Sequence, residues 1–268
     1  MRIVSMKGDG ILVQETTARV CCQNLNKSYG IPGREGLTRQ ILQDVSFQVC
    51  DGELVSVVGP SGSGKSTLLY CLSGLESCDD GKVELCGVDI TQLSLPDISR
   101  IRRDNVGFVF QDYNLIQSLT SIENVMLPAQ LAGVDADPAA AKALLDKLGL
   151  SNQINAKPQT LSGGEQQRVA VARILFNQSK IVFADEPTGA LDSQASKVIA
   201  NLLREAAHAG SAVVIVTHDI ELAAQSDRVL VLYDGRVNSI LEDPSPHEVF
   251  ETLNMLNNDN GAHETSSD

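Results

Sequence analysis

The sequence predicts an α/β fold: a parallel β-sheet core, an antiparallel β subdomain before it and an inserted helical subdomain. Two observations support this. Five short apolar runs resemble buried parallel strands, and helical patterns separate those runs. Strands that alternate with helices form a parallel sheet because each crossover helix covers one face of the sheet. The apolar runs are residues 54–58, 106–110, 181–184, 213–216 and 229–232.

Three β-rich segments bounded by glycine or polar residues predict the antiparallel patch, and residues 30–36 form a loop by composition. The three segments are residues 18–24, 45–49 and 82–85. Helices are expected at 65–73, 139–147 and 164–176. Residues 113–161 contain helical patterns without a convincing strand, which predicts the helical subdomain.

Composition limits the function classes. The chain has 268 residues and a net charge of −13, from 34 acidic and 21 basic side chains. Nucleic-acid binders need a basic face to neutralise phosphates, so we expect no nucleic-acid partner. No apolar stretch of about 18 residues is present and residues 1–11 lack a signal-peptide pattern, so a cytoplasmic location is expected. Residues 1–17 are expected to be an extension, and 246–268 an acidic tail that is disordered from 257 onwards.

A glycine-rich loop follows the first apolar run. Residues 59–66 read G-P-S-G-S-G-K-S, which matches the P-loop pattern G-x-x-x-x-G-K-[ST] between a strand and a helix. Glycines let successive backbone N–H groups point at phosphate oxygens, and the following helix adds its positive N-terminus. Lys65 can reach the outer phosphates, and the Ser66 hydroxyl can bind Mg²⁺. The candidate ATP-binding residues here are Gly59, Pro60, Ser61, Gly62, Ser63, Gly64, Lys65, Ser66 and Thr67.

Polar residues also follow three other apolar runs. Asp185 and Glu186 end the run at 181–184; Asp185 is suited to hold Mg²⁺, and Glu186 to orient and deprotonate a water. His218 follows the run at 213–216, where it favours a contact with the γ-phosphate. Gln111 follows the run at 106–110. Either its side-chain amide bridges Mg²⁺ and the water, or Gln111 is an ordinary residue at the end of a strand.

Residues 161–168 read L-S-G-G-E-Q-Q-R and resemble the signature motif of ABC ATPases. The resemblance extends over about residues 18–245, with every motif in the expected order, and implies a P-loop NTPase with a RecA-like core. It implies that the start of this helix contacts ATP held by an opposite subunit, so that two copies, or one copy and a paralogous subunit, form a dimer. The residues concerned are Ser162, Gly163, Gly164 and Glu165.

The same resemblance assigns roles to further positions. Tyr29 matches the aromatic residue that stacks on adenine, and Gln111 matches the Q-loop. Asp192 ends the D-loop at 190–192, and His218 matches the switch histidine. Lys65, Gln111, Glu186 and His218 are thus the expected catalytic residues, and Ser66, Gln111 and Asp185 the expected Mg²⁺ ligands.

Finer resemblances indicate the subfamily. Residues 108–115, 119–125 and 184–193 look like the lipoprotein-release and macrolide-export branch. That branch implies an integral-membrane permease as partner and a peripheral location at the inner face of the cell membrane. An importer ATPase stays open as the alternative. Three other classes are not favoured. ABC proteins of translation usually carry two cassettes in one chain, whereas this sequence has one, and DNA-repair members carry a long coiled coil, whereas no heptad run appears here. A non-hydrolysing binding module would lack Glu186 or His218, and both are present.

Overall fold

In the computed structural model, the described residues are 17–34, 36–189 and 191–264, with side chains described up to residue 256. The extension predicted over residues 1–17 lies almost wholly outside this part of the chain, as does Ala190 of the D-loop. The strands are β1 (Ala18–Gly30), β2 (Thr38–Cys50), β3 (Leu54–Val58), β4 (Asp80–Leu85), β5 (Val88–Asp89), β6 (Val106–Val109), β7 (Ile181–Asp185), β8 (Ala212–Val216), β9 (Arg228–Tyr233) and β10 (Arg236–Glu242).

Helices cover the sheets and connect their strands. They are α1 (Lys65–Leu72), α2 (Leu95–Asn105), α3 (Ser121–Leu131), α4 (Pro138–Lys147), α5 (Gly163–Asn177), α6 (Ser193–His208), α7 (Ile220–Ala223) and α8 (Pro246–Glu264), with a short 3-10 helix at Pro158–Thr160. Within the described residues, no helix is both long enough and apolar enough to cross a bilayer.

The larger sheet has the order β10-β9-β3-β8-β7-β6, and only β10 runs antiparallel to its neighbour. All five predicted apolar runs are parallel strands of this sheet, so the predicted α/β class is confirmed. Every residue of β3, β7 and β8 is buried, because α5 and α6 cover one face of the sheet and α1 with strands of the antiparallel sheet covers the other. The parallel direction brings the carboxyl ends of these strands to one edge.

The predicted antiparallel patch is also confirmed, as a four-stranded sheet of order β2-β1-β4-β5. Its first strand continues to Gly30, well beyond the predicted end at residue 24. Asn24 has a left-handed backbone (φ 51°), and the pairing register shifts on either side of it. These bulges interrupt the regular pairing of β1 at the polar residues where the prediction ended the strand.

Between residues 113 and 161 the structure has α3, α4 and the short 3-10 helix, without a strand. A capping box between Thr120 and Glu123 starts α3. Asp137 caps α4, and Pro138 stands at its first position, where its missing N–H leaves no helical bond unmade. Both helices pack on α5. Their buried side chains belong to the same hydrophobic cluster as α5, α6 and the face of the larger sheet that these two helices cover.

The C-terminal segment differs from its prediction. Residues 257–264, expected to be disordered, continue helix α8, and residues 265–268 lie outside the described part. Ser245 and Glu248 exchange hydrogen bonds that start the helix. Val249 is fully buried, and Leu253 and Leu256 pack on the same cluster beside β9. The polar composition of residues 257–268 did not predict this helix, because the apolar residues that pack it against the protein lie in its first part.

The helical subdomain offers a test of this packing. Leu145 on α4 is fully buried, whereas Leu131 on α3 is 67% exposed. We expect Leu145→Ala to lower the free energy of unfolding by about 2–5 kcal/mol, through lost apolar transfer and an unfilled cavity. The same change at Leu131 is expected to alter it by less than about 0.5 kcal/mol. Urea titrations followed by circular dichroism measure both values, and equal losses would contradict the arrangement described.

Candidate active site

The P-loop connects β3 to α1, and its backbone passes too close to neighbouring strands for side chains. Gly59 has φ 157°, and a Cβ there would lie 2.0 Å from the carbonyl oxygen of Leu232. Gly64 is left-handed (φ 100°), and its Cβ would lie 2.8 Å from the carbonyl oxygen of Ile41. Only glycine fits at both positions, so the loop is held as a tight backbone cradle.

Two side chains of the cradle indicate an anionic ligand. The Lys65 ammonium donates to the carbonyl oxygens of Gly59 (2.9 Å) and Pro60 (3.0 Å). Burial lowers the pKa of Lys65, while the carboxylates of Glu186 and Asp185 act against this shift. The buried Ser63 hydroxyl has no hydrogen-bond partner among the described residues. A buried polar group without a partner is uncommon, and a bound phosphate would satisfy it.

Asp185 ends β7 with both carboxylate oxygens engaged. The Ser66 hydroxyl donates to Oδ1 at 3.2 Å, and the Tyr70 hydroxyl donates to Oδ2 at 2.9 Å. Burial raises the pKa of Asp185, and these two hydrogen bonds act against the rise. Burial, followed by the bond to Asp185, also raises the pKa of Tyr70 to about 12. The Ser66 and Asp185 oxygens are of the hard type that Mg²⁺ prefers, so the residues fit this ion.

Glu186 and His218 form a second pair at the same edge. The His218 ring nitrogen Nδ1 lies 2.8 Å from Glu186 Oε2, and the His218 backbone N–H donates to that oxygen at 3.3 Å. Glu186 has a left-handed backbone (φ 47°), fixed by a bond from its N–H to the carbonyl oxygen of Val216. Such strain is often retained at functional sites. His218 is 71% exposed, so its other face is accessible.

Gln111 lies two residues beyond Val109, which pairs with Ala184 on β7. Its backbone therefore reaches the sheet edge at the level of Glu186. Its side chain is exposed and makes no hydrogen bond with a described residue. The structure thus brings Gln111 to the correct edge without joining it to Asp185.

The start of α5 is built as a helix N-terminus. Ser162 is the exposed N-cap, and Gly163 and Gly164 form the first turn. The Glu165 carboxylate accepts from the Ser162 backbone N–H (2.7 Å) and hydroxyl (2.8 Å), which lowers the pKa of Glu165. Among the described residues, no side-chain hydrogen bond joins this turn to the P-loop. Asp192 likewise caps a helix, accepting from the first N–H groups of α6.

Tyr29 lies near the end of β1, 40% exposed, with its hydroxyl close to the Thr67 side chain. The Lys27 ammonium is 5.1 Å from the centroid of the Tyr29 ring. Lys27 is buried, and its charge is balanced by Glu76 at 2.8 Å and Asp79 at 3.5 Å. The Tyr29 ring therefore lies beside the first turn of α1, and the Lys27 ammonium makes a cation–π contact with it.

The sequence did not lead us to predict roles for Tyr70 and Lys27, although the spacing of each from a predicted site residue is a usable signal. Tyr70 follows Ser66 by four positions, so both lie on one face of α1. Lys27 precedes Tyr29 by two positions, which places both on one face of β1.

Comparisons with known proteins identify the family of this chain. The family described as "ABC transporter" matches residues 42–189. The "Macrolide export ATP-binding/permease protein MacB" of Pasteurella multocida is 42% identical over 217 residues, which are 80% of this chain and 33% of that protein. The protein of the same name from Neisseria meningitidis is 41% identical over 221 residues, 81% of this chain and 34% of that protein. The chain thus spans about a third of the length of these curated relatives.

A solved structure is similar over a larger share of its own length. It is the "Dimeric structure of a post-hydrolysis state of the ATP-binding cassette MJ0796 bound to ADP and Pi". The TM-score is 0.78 at 38% identity, and the match covers 84% of this chain and 99% of that chain. This likeness confirms the predicted P-loop NTPase fold with its RecA-like core.

The burial of Asp185 makes a prediction about stability and pH. The pKa of Asp185 is raised in the folded state. At pH values above 3.8, the ordinary pKa of an aspartate, the charged carboxylate therefore lowers the stability of the nucleotide-free protein. The unfolded chain releases the proton first as pH rises, so stability falls over that interval. We expect Asp185→Asn to stabilise the nucleotide-free protein at pH 8, with a gain that shrinks as pH falls towards the ordinary pKa of 3.8.

Urea denaturation at intervals from pH 8 down to about pH 4 measures this gain. The exposed Asp135, replaced by Asn, is the control for loss of one negative charge. Equal pH profiles for the two variants, or a loss of stability in Asp185→Asn at pH 8, would contradict the stated role of burial.

Proposed function

The chain belongs to the ABC transporter family, as its motifs predicted, and from this premise we propose that it hydrolyses ATP as one of two ATPase subunits that drive a separate membrane permease. The observation that carries the proposal is the connected site at the carboxyl edge of the parallel sheet. There Ser66 meets Asp185, and His218 meets Glu186, beside the Lys65 cradle. Parallel strands place ligand sites at this edge.

The P-loop binds the phosphates of ATP. Its N–H groups and the unpartnered Ser63 hydroxyl donate to phosphate oxygens, and Lys65 leaves its carbonyl partners for the outer phosphates. The adenine stacks on Tyr29, whose hydroxyl lies close to Thr67 in the first turn of α1. Ser66, Asp185 and Gln111 would hold Mg²⁺, which when bound neutralises charge on the phosphates.

Glu186 prepares the attacking water. His218 holds Oε2 of Glu186, so the carboxylate is fixed in one orientation, and Oε1 accepts the proton of the water. His218 is exposed enough to contact the γ-phosphate as well. The products are ADP and phosphate.

The start of α5 serves a second ATP. Ser162, Gly163 and Gly164 present an exposed helix N-terminus, and this anion-binding feature is not joined to the P-loop of its own chain. We assign it to the γ-phosphate of ATP bound by a second copy or a paralogous subunit. Glu165 supports it by capping the turn, and Asp192 shapes the neighbouring segment by capping α6. The similar MJ0796 cassette is described as dimeric.

The partner permease docks in the groove between α2, β6, α3 and α5. This groove has a volume of about 390 Å³ and combines apolar side chains with three arginines. A cytoplasmic helix of the permease with apolar and acidic side chains complements this lining. The residues that line it include Arg102, Arg103, Phe108, Phe110, Leu127, Leu131 and Arg173.

Transport is assigned to export, because the relatives named above are macrolide-export proteins that combine an ATPase with a permease. The molecule then works in the cytoplasm, attached to the inner face of the cell membrane through its permease. Lipoproteins, peptides and antibiotics are the substrate classes of the branch that the motifs resemble.

The first test is Glu186→Gln. The amide keeps the size of the carboxylate and cannot accept a proton, so we expect ATP binding to persist while turnover falls roughly 10²–10⁴-fold. Phosphate release gives the rate, and titration with a fluorescent ATP analogue gives the affinity. Near-normal hydrolysis would refute the role of Glu186. Lost binding would indicate a structural role instead.

The second test concerns the dimer. A Cβ at Gly164 meets its nearest atom at 3.6 Å, so a side chain fits in the free subunit, whereas at Gly163 it would lie 2.9 Å from the Tyr113 hydroxyl. Gly164→Asp places a carboxylate where the partner's γ-phosphate must lie. In the Glu186→Gln background we expect an ATP-dependent dimer that this second change abolishes on size exclusion.

Gly164→Asn is the matched control, because it has the bulk of aspartate without the charge. We expect it to dimerise more readily than Gly164→Asp, and more so at low salt, where repulsion is least screened. A dimer as abundant in the Asp variant as in Glu186→Gln alone would overturn the two-subunit site.

A further inference from the structure

Helix α1 offers two donors to Asp185 from one face. Ser66 and Tyr70 are four residues apart, and each hydroxyl donates to a different carboxylate oxygen, at 3.2 Å and 2.9 Å. A carboxylate held at both oxygens cannot rotate about its terminal bond without breaking one of the bonds. In this structure the plane of the Asp185 carboxylate is therefore fixed.

Binding of Mg²⁺ is expected to affect the two hydrogen bonds differently. In the proposed function the Ser66 hydroxyl turns its oxygen towards Mg²⁺, and its bond to Asp185 is then given up or weakened. The Tyr70 hydroxyl lies on the other oxygen, away from Ser66, and nothing in the reaction requires it to move. It is the donor that still holds the carboxylate when the ion is bound.

The ring of Tyr70 is itself held in place. Its centroid lies 6.1 Å from that of Phe108, which is stacked on Phe110 at 4.1 Å and tilted against Phe183 at 6.2 Å. Phe183 is fully buried on β7, two residues before Asp185. The four rings form a rigid support that contains both the donor and the strand carrying its acceptor.

We propose that Tyr70 is a positioning residue for the metal site: its hydroxyl holds the Asp185 carboxylate in the orientation that receives Mg²⁺. This inference rests on the proposed function, in which Asp185 binds that ion. Outer hydrogen bonds of this kind orient metal ligands, and their removal typically weakens metal affinity by about 10–100-fold. The P-loop cradle does not include Tyr70, so binding of nucleotide without the ion should be independent of it.

Tyr70→Phe tests the proposal, since it removes the hydroxyl and keeps the ring. The protein is the full chain in the Glu186→Gln background, so that no nucleotide is consumed. Affinity for a fluorescent ATP analogue is measured in EDTA and then across a Mg²⁺ titration. We expect an unchanged affinity in EDTA, within about twofold, and a half-saturating Mg²⁺ concentration raised by at least about tenfold.

Two further variants make the result interpretable. Asp185→Asn is the reference for loss of the metal ligand and should raise the Mg²⁺ requirement more than Tyr70→Phe does. Tyr233→Phe, at the end of β9, is the matched control, because its hydroxyl forms no hydrogen bond within the described part of the chain. It should leave both affinities unchanged.

Each other outcome overturns a definite statement. If Asp185→Asn raises the Mg²⁺ requirement and Tyr70→Phe behaves like Tyr233→Phe, the positioning role is wrong and the metal site stands. If Tyr70→Phe weakens binding in EDTA as much as in Mg²⁺, Tyr70 supports the fold of the cradle and not the ion. If Asp185→Asn changes nothing, the assignment of Asp185 in the proposed function fails, and the inference fails with it.

Discussion

The burial of the parallel strands on both faces is the constraint from which the site follows. β3, β7 and β8 are buried along their whole length, so a polar side chain inside them must find a partner, as Ser56 does in Ser226 at 2.6 Å. Charged groups are therefore tolerated where the strands end. Parallel pairing brings these ends to one edge, and the chain thereby collects a lysine, two carboxylates and a histidine from separate segments.

The collected charges lie in electrostatically unfavourable surroundings. Burial lowers the pKa of Lys65 and raises that of Asp185, so each group is held in surroundings that disfavour its charged form. Neighbouring charges and the hydroxyls of Ser66 and Tyr70 reduce the cost without removing it. Phosphate oxygens and Mg²⁺ would supply the missing partners, and stability is given up for ligand affinity at such sites.

Helix α5 connects the turn at residues 162–164, which we propose binds phosphate, to the segment that follows Gln111. Arg173 on α5 donates to the carbonyl oxygens of Asn114 at 2.9 Å and Tyr113 at 3.3 Å. Both residues have left-handed backbones, so a strained turn is held by this one guanidinium. At the other end of the helix, the Tyr113 hydroxyl lies against Gly163. The groove assigned to the permease contains Arg173 and Asn114, so a helix bound there would touch the residues that hold both features.

The sequence alone determined the class of fold, the position of the glycine-rich loop and the identity of the strand-end residues. These signals are local: a glycine pattern, an apolar run and the polar residue that ends it are contiguous in the chain. Local signals were weaker where bulges disturbed alternation, as at Asn24, or where polar composition concealed a helix anchored by Val249. Edge strand β10 gave no signal, because its alternate residues are exposed and no apolar run marks it.

Only the tertiary structure decided which of these residues meet. Glu186 and His218 are joined because β7 and β8 are neighbours in register, and no feature of the two separate motifs predicts that bond. Glu165 and Asp192, assigned to ATP by resemblance, are engaged as helix caps. Tyr70 reaches Asp185 across 115 positions of sequence because α1 packs beside the end of β7. Such contacts depend on the crossing of elements distant in the chain, whereas sequence periodicity reports only the face on which a side chain lies.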